Sequence, residues 1–240
     1  MAKEKSELQV SASTLKNIEI FSELNDLERT EISKSFKARI YQKNQRILSH
    51  HDITREVFFV IGGTVRVTIQ SLKGKEITFR DLHAGQGFGE LSALDGQTRS
   101  ADVVATSESA VAFLDAKKYV ELLKSHPSIS INSLRHLAKL VRSLSDRLVE
   151  MSTLGAKNRI HSELLRLSKK GFKSGELVVL SAVPTHAEIA SFINVERETV
   201  TRELAVLNQA GLIEKDRNTL IFKNLDELRA LVERAGIRVL

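Results

Sequence analysis

Leu134, Leu137, Val141, Leu144, Leu148 and Met151 follow one another at alternating intervals of three and four residues. That is the a/d rhythm of a coiled coil, held over nearly three heptads. A helix packed only on its own domain carries a broader apolar stripe. This narrow one suits a partner helix, so the spacing predicts a homodimer built through residues 134–151. His126-Pro127 marks where the helix begins and Gly155 where the rhythm breaks. The chain therefore divides into a first domain over residues 1–132, a pairing helix over 133–154 and a second domain over 155–240.

Residues 14–40 read as helical, with Leu15, Ile18, Phe21, Leu24 and Leu27 at helical spacing. From Tyr41 to Leu114 the texture changes to short β-rich runs: Val57–Ile61, Val65–Ile69, Ile77–Leu82, Val103–Ala105 and Ala110–Leu114. Turns such as Lys73-Gly74-Lys75 separate them. In Val65-Arg66-Val67-Thr68-Ile69 apolar and polar residues alternate strictly, as in a strand with one face in water. Many short strands at this spacing predict an antiparallel barrel or sandwich. Beyond Gly155, His161–Lys170 reads as a helix, Gly171–Gly175 as a loop and Leu177–Leu180 as a strand. Ile213–Phe222 reads as a β-hairpin turning at Asp216-Arg217-Asn218.

Between these lies Thr185–Lys215, which reads as two short amphipathic helices joined by a tight turn. Val200, Leu204 and Leu207 share one face of the second helix, and Arg197, Glu198, Thr201 and Arg202 take the opposite face and leading edge. Arginine can bond guanine O6 and N7 together, and glutamate can accept from cytosine N4, so this edge is equipped to read a DNA major groove. Ala190 sits where the helices approach, and Asn194 sits in the turn, where asparagine tolerates a left-handed backbone. Periodicity alone also fits an ordinary helical hairpin with a solvated charged face.

A second motif runs Gly85-Gln86-Gly87-Phe88-Gly89-Glu90-Leu91, followed by Arg99-Ser100-Ala101. Glycines let backbone approach a ligand and offer N–H groups to an anion. A helical turn opening at Glu90-Leu91-Ser92 adds free N–H groups, and Arg99 can close on a phosphate bidentately. Glu90 suits a sugar hydroxyl better than a phosphate. A glycine-rich turn with a surface arginine is the plainer alternative.

Composition narrows the classes. The net charge of +6 permits nucleic-acid binding without arguing for it. There is no cysteine, which excludes disulfides and thiolate-held iron–sulfur clusters. The start lacks the apolar core of a signal peptide, and no apolar run reaches the roughly 18 residues of a membrane span, so a cytoplasmic chain without a membrane partner is expected. His50-His51 and His83 match no metal template, since adjacent histidines on a strand point to opposite faces. No metal is expected. No catalytic constellation appears, so an enzyme is not expected either.

The residues so far carry a resemblance. Phe88-Gly89-Glu90-Leu91, with Arg99-Ser100-Ala101 eight residues on, resembles the phosphate-binding cassette of cyclic-nucleotide-binding domains. Arg197-Glu198-Thr199-Val200, with Arg202 two residues later, resembles the recognition helix of the catabolite activator (cyclic AMP receptor) proteins. Order and spacing agree from about residue 15 to residue 222, and the chain is identified as a member of the Crp–Fnr family. The resemblance implies an α+β fold: an N-terminal antiparallel β-roll (a double-stranded jelly-roll) that binds a cyclic nucleotide, a long dimerisation helix, and a C-terminal winged helix-turn-helix. It implies that Glu90 bonds the ribose 2′-hydroxyl, that the Gly89 and Leu91 region supplies backbone donors, that Arg99 and Ser100 hold the cyclic phosphate, and that Val67 lines the pocket, with Phe88 and Ala101 in the cassette. Arg197, Glu198 and Arg202 would read a TGTGA-like half-site, Thr185 and Thr199 would meet phosphates, and His186, Glu196 and Thr201 complete the DNA-facing set. Cyclic AMP is the implied ligand, and double-stranded DNA and RNA polymerase are the implied partners.

Three departures stand out. The family's cyclic AMP receptors place a Thr-Ser pair on the dimer helix against the adenine. Here those positions are Leu144-Ser145, which leaves cyclic GMP open as a ligand. A family arginine one turn earlier is Leu140, so Glu90 is expected to lack that partner. Glu203 occupies a position usually apolar in helix-turn-helix units. Two other readings compete: a family member sensing haem or a metabolite, and a regulatory subunit of an enzyme. The intact Glu90 and Arg99-Ser100 speak against the first, and the base-reading face speaks against the second.

Overall fold

The computed structural model describes residues 8–71 and 76–236; the Lys73-Gly74-Lys75 turn lies outside them. Two compact units divide the chain between Leu140 and Val141.

In the first unit β1 (Leu8–Gln9) leads into α1 (Ala12–Lys16), a 3-10 turn (Glu19–Phe21) and α2 (Asp26–Ser33). The continuous helix expected over residues 14–40 is thus broken. Asn25 starts a fresh helix through a capping box with Glu28, and an N-cap of this kind replaces the orphan N–H bonds of a helix start. Lys37–Tyr41 is a strand, β2. Leu27, which keeps the helical spacing of the preceding apolar residues, is 83% exposed because the new helix begins in a different phase.

The remaining strands are β3 (Arg46–Leu48), β4 (Val57–Gly62), β5 (Thr64–Gln70), β6 (Glu76–His83), β7 (Gly87–Phe88), β8 (Asp102–Ala105) and β9 (Ser109–Leu114). They form two antiparallel sheets, ordered β1-β2-β9-β4-β7 and β3-β8-β5-β6. Successive side chains of a strand point to opposite faces, and β4 uses both. Phe58 and Val60 enter a core with Val65, Leu82, Phe88 and Val103 from both sheets. Val57 and Phe59 enter a second core with Leu15, Phe21, Phe36, Tyr119 and Ile129 on the helical side. The alternation of β5 does not hold to its end. A register shift between Val67 and Thr68 turns Thr68 inward, and it is buried together with Thr78.

His50 and His51 do not point to opposite faces. They lie past β3, with His51 at φ 68°, and their rings stack at 3.6 Å. A left-handed turn, unlike a strand, brings consecutive side chains to the same side.

After α3 (Glu90–Asp95) and α4 (Ala116–Ser125), α5 runs from Pro127 to Thr153. It begins in the first unit, where Ile129 and Ser133 are buried, and ends in the second. There Arg166 of α6 (Ala156–Ser168) pairs with Glu150 of α5 and with Glu163. Burial pushes the Glu163 carboxyl above its usual range, and the Arg166 guanidinium opposes that shift. Arg147 stands 5.6 Å over the Phe192 ring.

The second unit continues with β10 (Phe172–Ser174), β11 (Leu177–Ser181), α7 (His186–Ile193), α8 (Arg197–Gln209), β12 (Ile213–Asp216), β13 (Thr219–Phe222) and α9 (Leu225–Arg234). The segment expected as a Gly171–Gly175 loop contains β10, which pairs with β11. The β12–β13 hairpin is present. Ile160, Leu164, Ile189, Val200, Leu204, Leu207 and Phe222 meet in one core.

Glu203 has a partner there. His161 Nε2 donates to its carboxylate at 2.8 Å, and both side chains are only 7% exposed. Removing one member of a buried pair strands the other, at a cost of about 3–5 kcal/mol, whereas replacing both with apolar groups can be neutral. In urea unfolding of the full chain Glu203→Leu should therefore lose more stability than the double change His161→Leu/Glu203→Leu. A double mutant at least as unstable as the single would show that the pair does not carry this cost.

Candidate functional site

The glycine-rich motif turns strand directly into helix. Gly89 caps α3 with φ 79° and ψ 5°, a left-handed conformation that glycine adopts without strain. A Cβ there would stand 2.8 Å from Arg99 Nη1, and one on Gly87 would stand 2.9 Å from the Phe59 ring. The space these glycines open is thus already used by the protein's own side chains.

Arg99 is 2% exposed. Its Nε donates to Thr54 Oγ1 at 3.1 Å, Nη1 to the Gly89 carbonyl at 2.9 Å and Nη2 to the Glu56 carbonyl at 2.9 Å. The guanidinium therefore locks the cassette from beneath. Phe88 stacks on Phe58 at 5.2 Å, and Ala101 is buried. Leu91 and Ser100 are exposed, and Val67 is half-buried against the inter-sheet core.

Glu90 is buried, 7% exposed. Leu140 does deprive it of a helix arginine, but other elements supply cations. His136 Nε2 of α5 stands 3.9 Å from Glu90 Oε1, and Arg80 of β6 feels the same carboxylate. Glu90, His136, Tyr119, Ser133, Phe59 and Gly87 line one small cavity. Sequence reasoning missed Arg80, His136 and Tyr119. A signal existed for Arg80: on β6 it shares the inward face with the buried Thr78 and Leu82, where a charge needs a partner. Leu144 and Ser145 are exposed positions of α5 within the second unit.

In that unit Thr185 caps α7 through a capping box with Glu188, and Asn194 ends it at φ 52°, the left-handed turn expected there. Val200, Leu204 and Leu207 are buried, which leaves Glu196, Arg197, Glu198, Thr201 and Arg202 exposed and Thr199 half-buried. His186 joins α7 to α8 and the hairpin. Its Nδ1 stands 2.8 Å from Thr201 Oγ1 and its Nε2 3.2 Å from Lys215 Nζ. Lysine only donates, so Nε2 accepts, Nδ1–H donates to Thr201, and Thr201 donates to the Arg197 carbonyl at 3.1 Å. Burial, then Lys215 and Arg197, hold the His186 imidazole below its ordinary pKa. Lys215 was not foreseen as part of this surface. Among the described residues no group of three His, Asp or Glu is placed to hold a metal.

The cyclic nucleotide-binding domain family matches residues 38–126, and the Crp-like helix-turn-helix domain matches residues 158–231. The chain belongs to the Crp–Fnr family of transcription regulators. These are not enzymes, and the helix-turn-helix makes this family member a DNA-binding protein carrying a cyclic-nucleotide-binding domain. Among its relatives is a cyclic AMP receptor protein of Thermus thermophilus, 32% identical over 178 residues, spanning 74% of this chain and 80% of the relative. Another is the cAMP-activated global transcriptional regulator CRP of Salmonella typhimurium, 27% identical over 182 residues, spanning 75% of this chain and 87% of the relative. A CooA mutant from Carboxydothermus hydrogenoformans superposes with a TM-score of 0.77 over 95% of this chain and 98% of its own at 22% identity, a likeness of fold alone. A CRP/FNR-family transcriptional regulator, also from Thermus thermophilus, gives a TM-score of 0.64 at 27% identity, over 83% of this chain and 100% of its own.

In this Crp–Fnr regulator Arg99 also supports the free protein. Hydrogen bonds to charged groups contribute about 1.5–3 kcal/mol each, so Arg99→Leu should lower urea stability by about 2 kcal/mol or more before any ligand is added. Unchanged stability would mean that the guanidinium does not hold the cassette.

Proposed function

We propose that the chain is a homodimeric, cytoplasmic transcription regulator gated by a cyclic nucleotide. Cyclic AMP is the first candidate, since both sequence relatives described above carry it in their names, and cyclic GMP is the second because Leu144 replaces the family's threonine. Binding shifts the dimer towards a state that grips a palindromic TGTGA-like operator and engages RNA polymerase. In this reading residues 1–132 receive the nucleotide, 133–154 pair the protomers and 155–240 read DNA. Glu90 takes the sugar hydroxyl, Arg99, Ser100 and the Gly89 backbone take the phosphate, Val67, Phe88, Leu91 and Ala101 shape the pocket, and Ser145 meets the base. Arg197, Glu198 and Arg202 read base edges, while Thr185, His186, Glu196, Thr199 and Thr201 serve the backbone.

One observation carries this reading: a single chain holds a buried carboxylate at a glycine-capped helix start and, on α8, an exposed Arg197, Glu198 and Arg202 edge. Dimerisation rests on the α5 stripe. Leu134, Val141, Leu144, Leu148 and Met151 are 61%, 62%, 42%, 66% and 44% exposed in the single chain, which is costly for large apolar side chains left in water.

Three outcomes are expected. In analytical ultracentrifugation Leu148→Glu should shift the protein from dimer to monomer. A dimer of unchanged stability would place the seam elsewhere. In fluorescence anisotropy an inverted repeat with half-site centres about 34–36 Å apart should bind more tightly with cyclic AMP than without. Arg202→Ala should cost about 1–3 kcal/mol and relax base choice at one position of each half-site. If base-substituted operators keep their ranking against the mutant, Arg202 contacts only phosphate.

A further inference from the structure

The cavity beside Glu90 holds a group that the family resemblance did not call for. His136 Nε2 is buried, has no hydrogen-bond partner among the described residues and faces Glu90 Oε1 across 3.9 Å. That gap is too long for a hydrogen bond, yet short enough for a strong ion pair once the ring is charged. The groups facing the imidazole are Glu90 of α3, Arg80 of β6, Glu19 of the 3-10 turn and Lys139 of its own helix, with Tyr119 of α4 on the same cavity wall. The Tyr119 hydroxyl is taken up with Ser133 at 3.2 Å. Of the two carboxylates, Glu90 acts on the ring more strongly than Glu19. Glu90 is therefore the one that a protonated His136 would draw in.

We propose that His136 is a positioning residue for nucleotide binding, one that competes with the ligand's sugar hydroxyl for the Glu90 carboxylate. As a neutral ring it leaves Glu90 free to accept from the sugar. With a proton taken from solvent on Nε2, the imidazolium closes the gap and holds the carboxylate for itself. Burial is the largest influence on the ring and holds its pKa below the ordinary histidine value; Glu90 opposes it, Arg80 and Lys139 reinforce it, and Glu19 opposes it. The sign follows. Nucleotide binds the neutral form, so affinity is full above the His136 pKa and falls as pH drops through it. By linkage, bound nucleotide must push that pKa lower still. This rests on the reading that Glu90 holds the sugar.

Calorimetry with cyclic AMP between about pH 5.5 and pH 7.5, the span in which a histidine changes charge, tests it on wild type, His136→Gln and Glu90→Gln. Wild type should lose affinity as the pH falls through the His136 midpoint, and His136→Gln should show little change across the range. If Glu90→Gln binds as wild type does at the neutral end, the sugar-contact reading fails. If Glu90→Gln loses affinity while wild type and His136→Gln follow the same pH curve, that reading stands and the role of His136 is overturned. Nitrogen NMR of the His136 ring in the unaltered protein needs no mutant. Its titration midpoint should lie below the ordinary value of about 6.5 and fall further when cyclic AMP saturates the protein. A midpoint unmoved or raised by nucleotide contradicts the proposal.

Discussion

One continuous helix holds the account together. The 27 residues of α5 begin in the first unit and end in the second. At the start of the helix, Ser133 bonds Tyr119 and His136 faces Glu90. At its end, Glu150 pairs with Arg166, and Glu150 also accepts from Ser162 at 2.8 Å. Each unit is therefore fastened to its own stretch of this helix by polar contacts as well as by packing. On the proposed reading, a nucleotide acts only through contacts that differ between two arrangements of the helix, since a ligand shifts an equilibrium by its differential affinity and by nothing else.

Much of this was legible in the sequence, for definite reasons. The five β-runs were found because short β-rich stretches bounded by turn residues mark strands, and Asn194 was placed in a left-handed turn because few other residues tolerate one. Other features were not. The break at Asn25 escaped because Leu15, Ile18, Phe21, Leu24 and Leu27 keep helical spacing across two separate helices and a 3-10 turn. Sequence periodicity cannot show that a helix has stopped and restarted in a new phase. The strand at Phe172–Ser174 is exposed at all three positions, so it leaves no burial pattern to detect.

Buried charge was the harder class. Glu203, Arg99, Arg80 and His136 each sit where a pattern-based reading expects either an apolar residue or a solvated one. What makes the first three tolerable is a partner distant in sequence: His161 for Glu203, the Gly89 and Glu56 carbonyls for Arg99, and the Glu90 carboxylate for Arg80, while His136 faces that same carboxylate without a hydrogen bond. No local spacing announces such a partner. A charged residue in phase with an apolar face is nevertheless a usable signal, and in this chain it marks both the cassette and the support of the recognition helix.

The central claim is that nucleotide and DNA are coupled through one dimer. Binding free energies obey reciprocity, so a nucleotide that tightens DNA binding must itself be bound more tightly by the same factor when DNA is present. The decisive measurement is calorimetric titration of cyclic AMP into the 240-residue chain, alone and saturated with an inverted-repeat operator. Coupling requires a tighter nucleotide constant in the complex, by the factor that cyclic AMP adds to operator affinity. Equal constants with and without operator would contradict it.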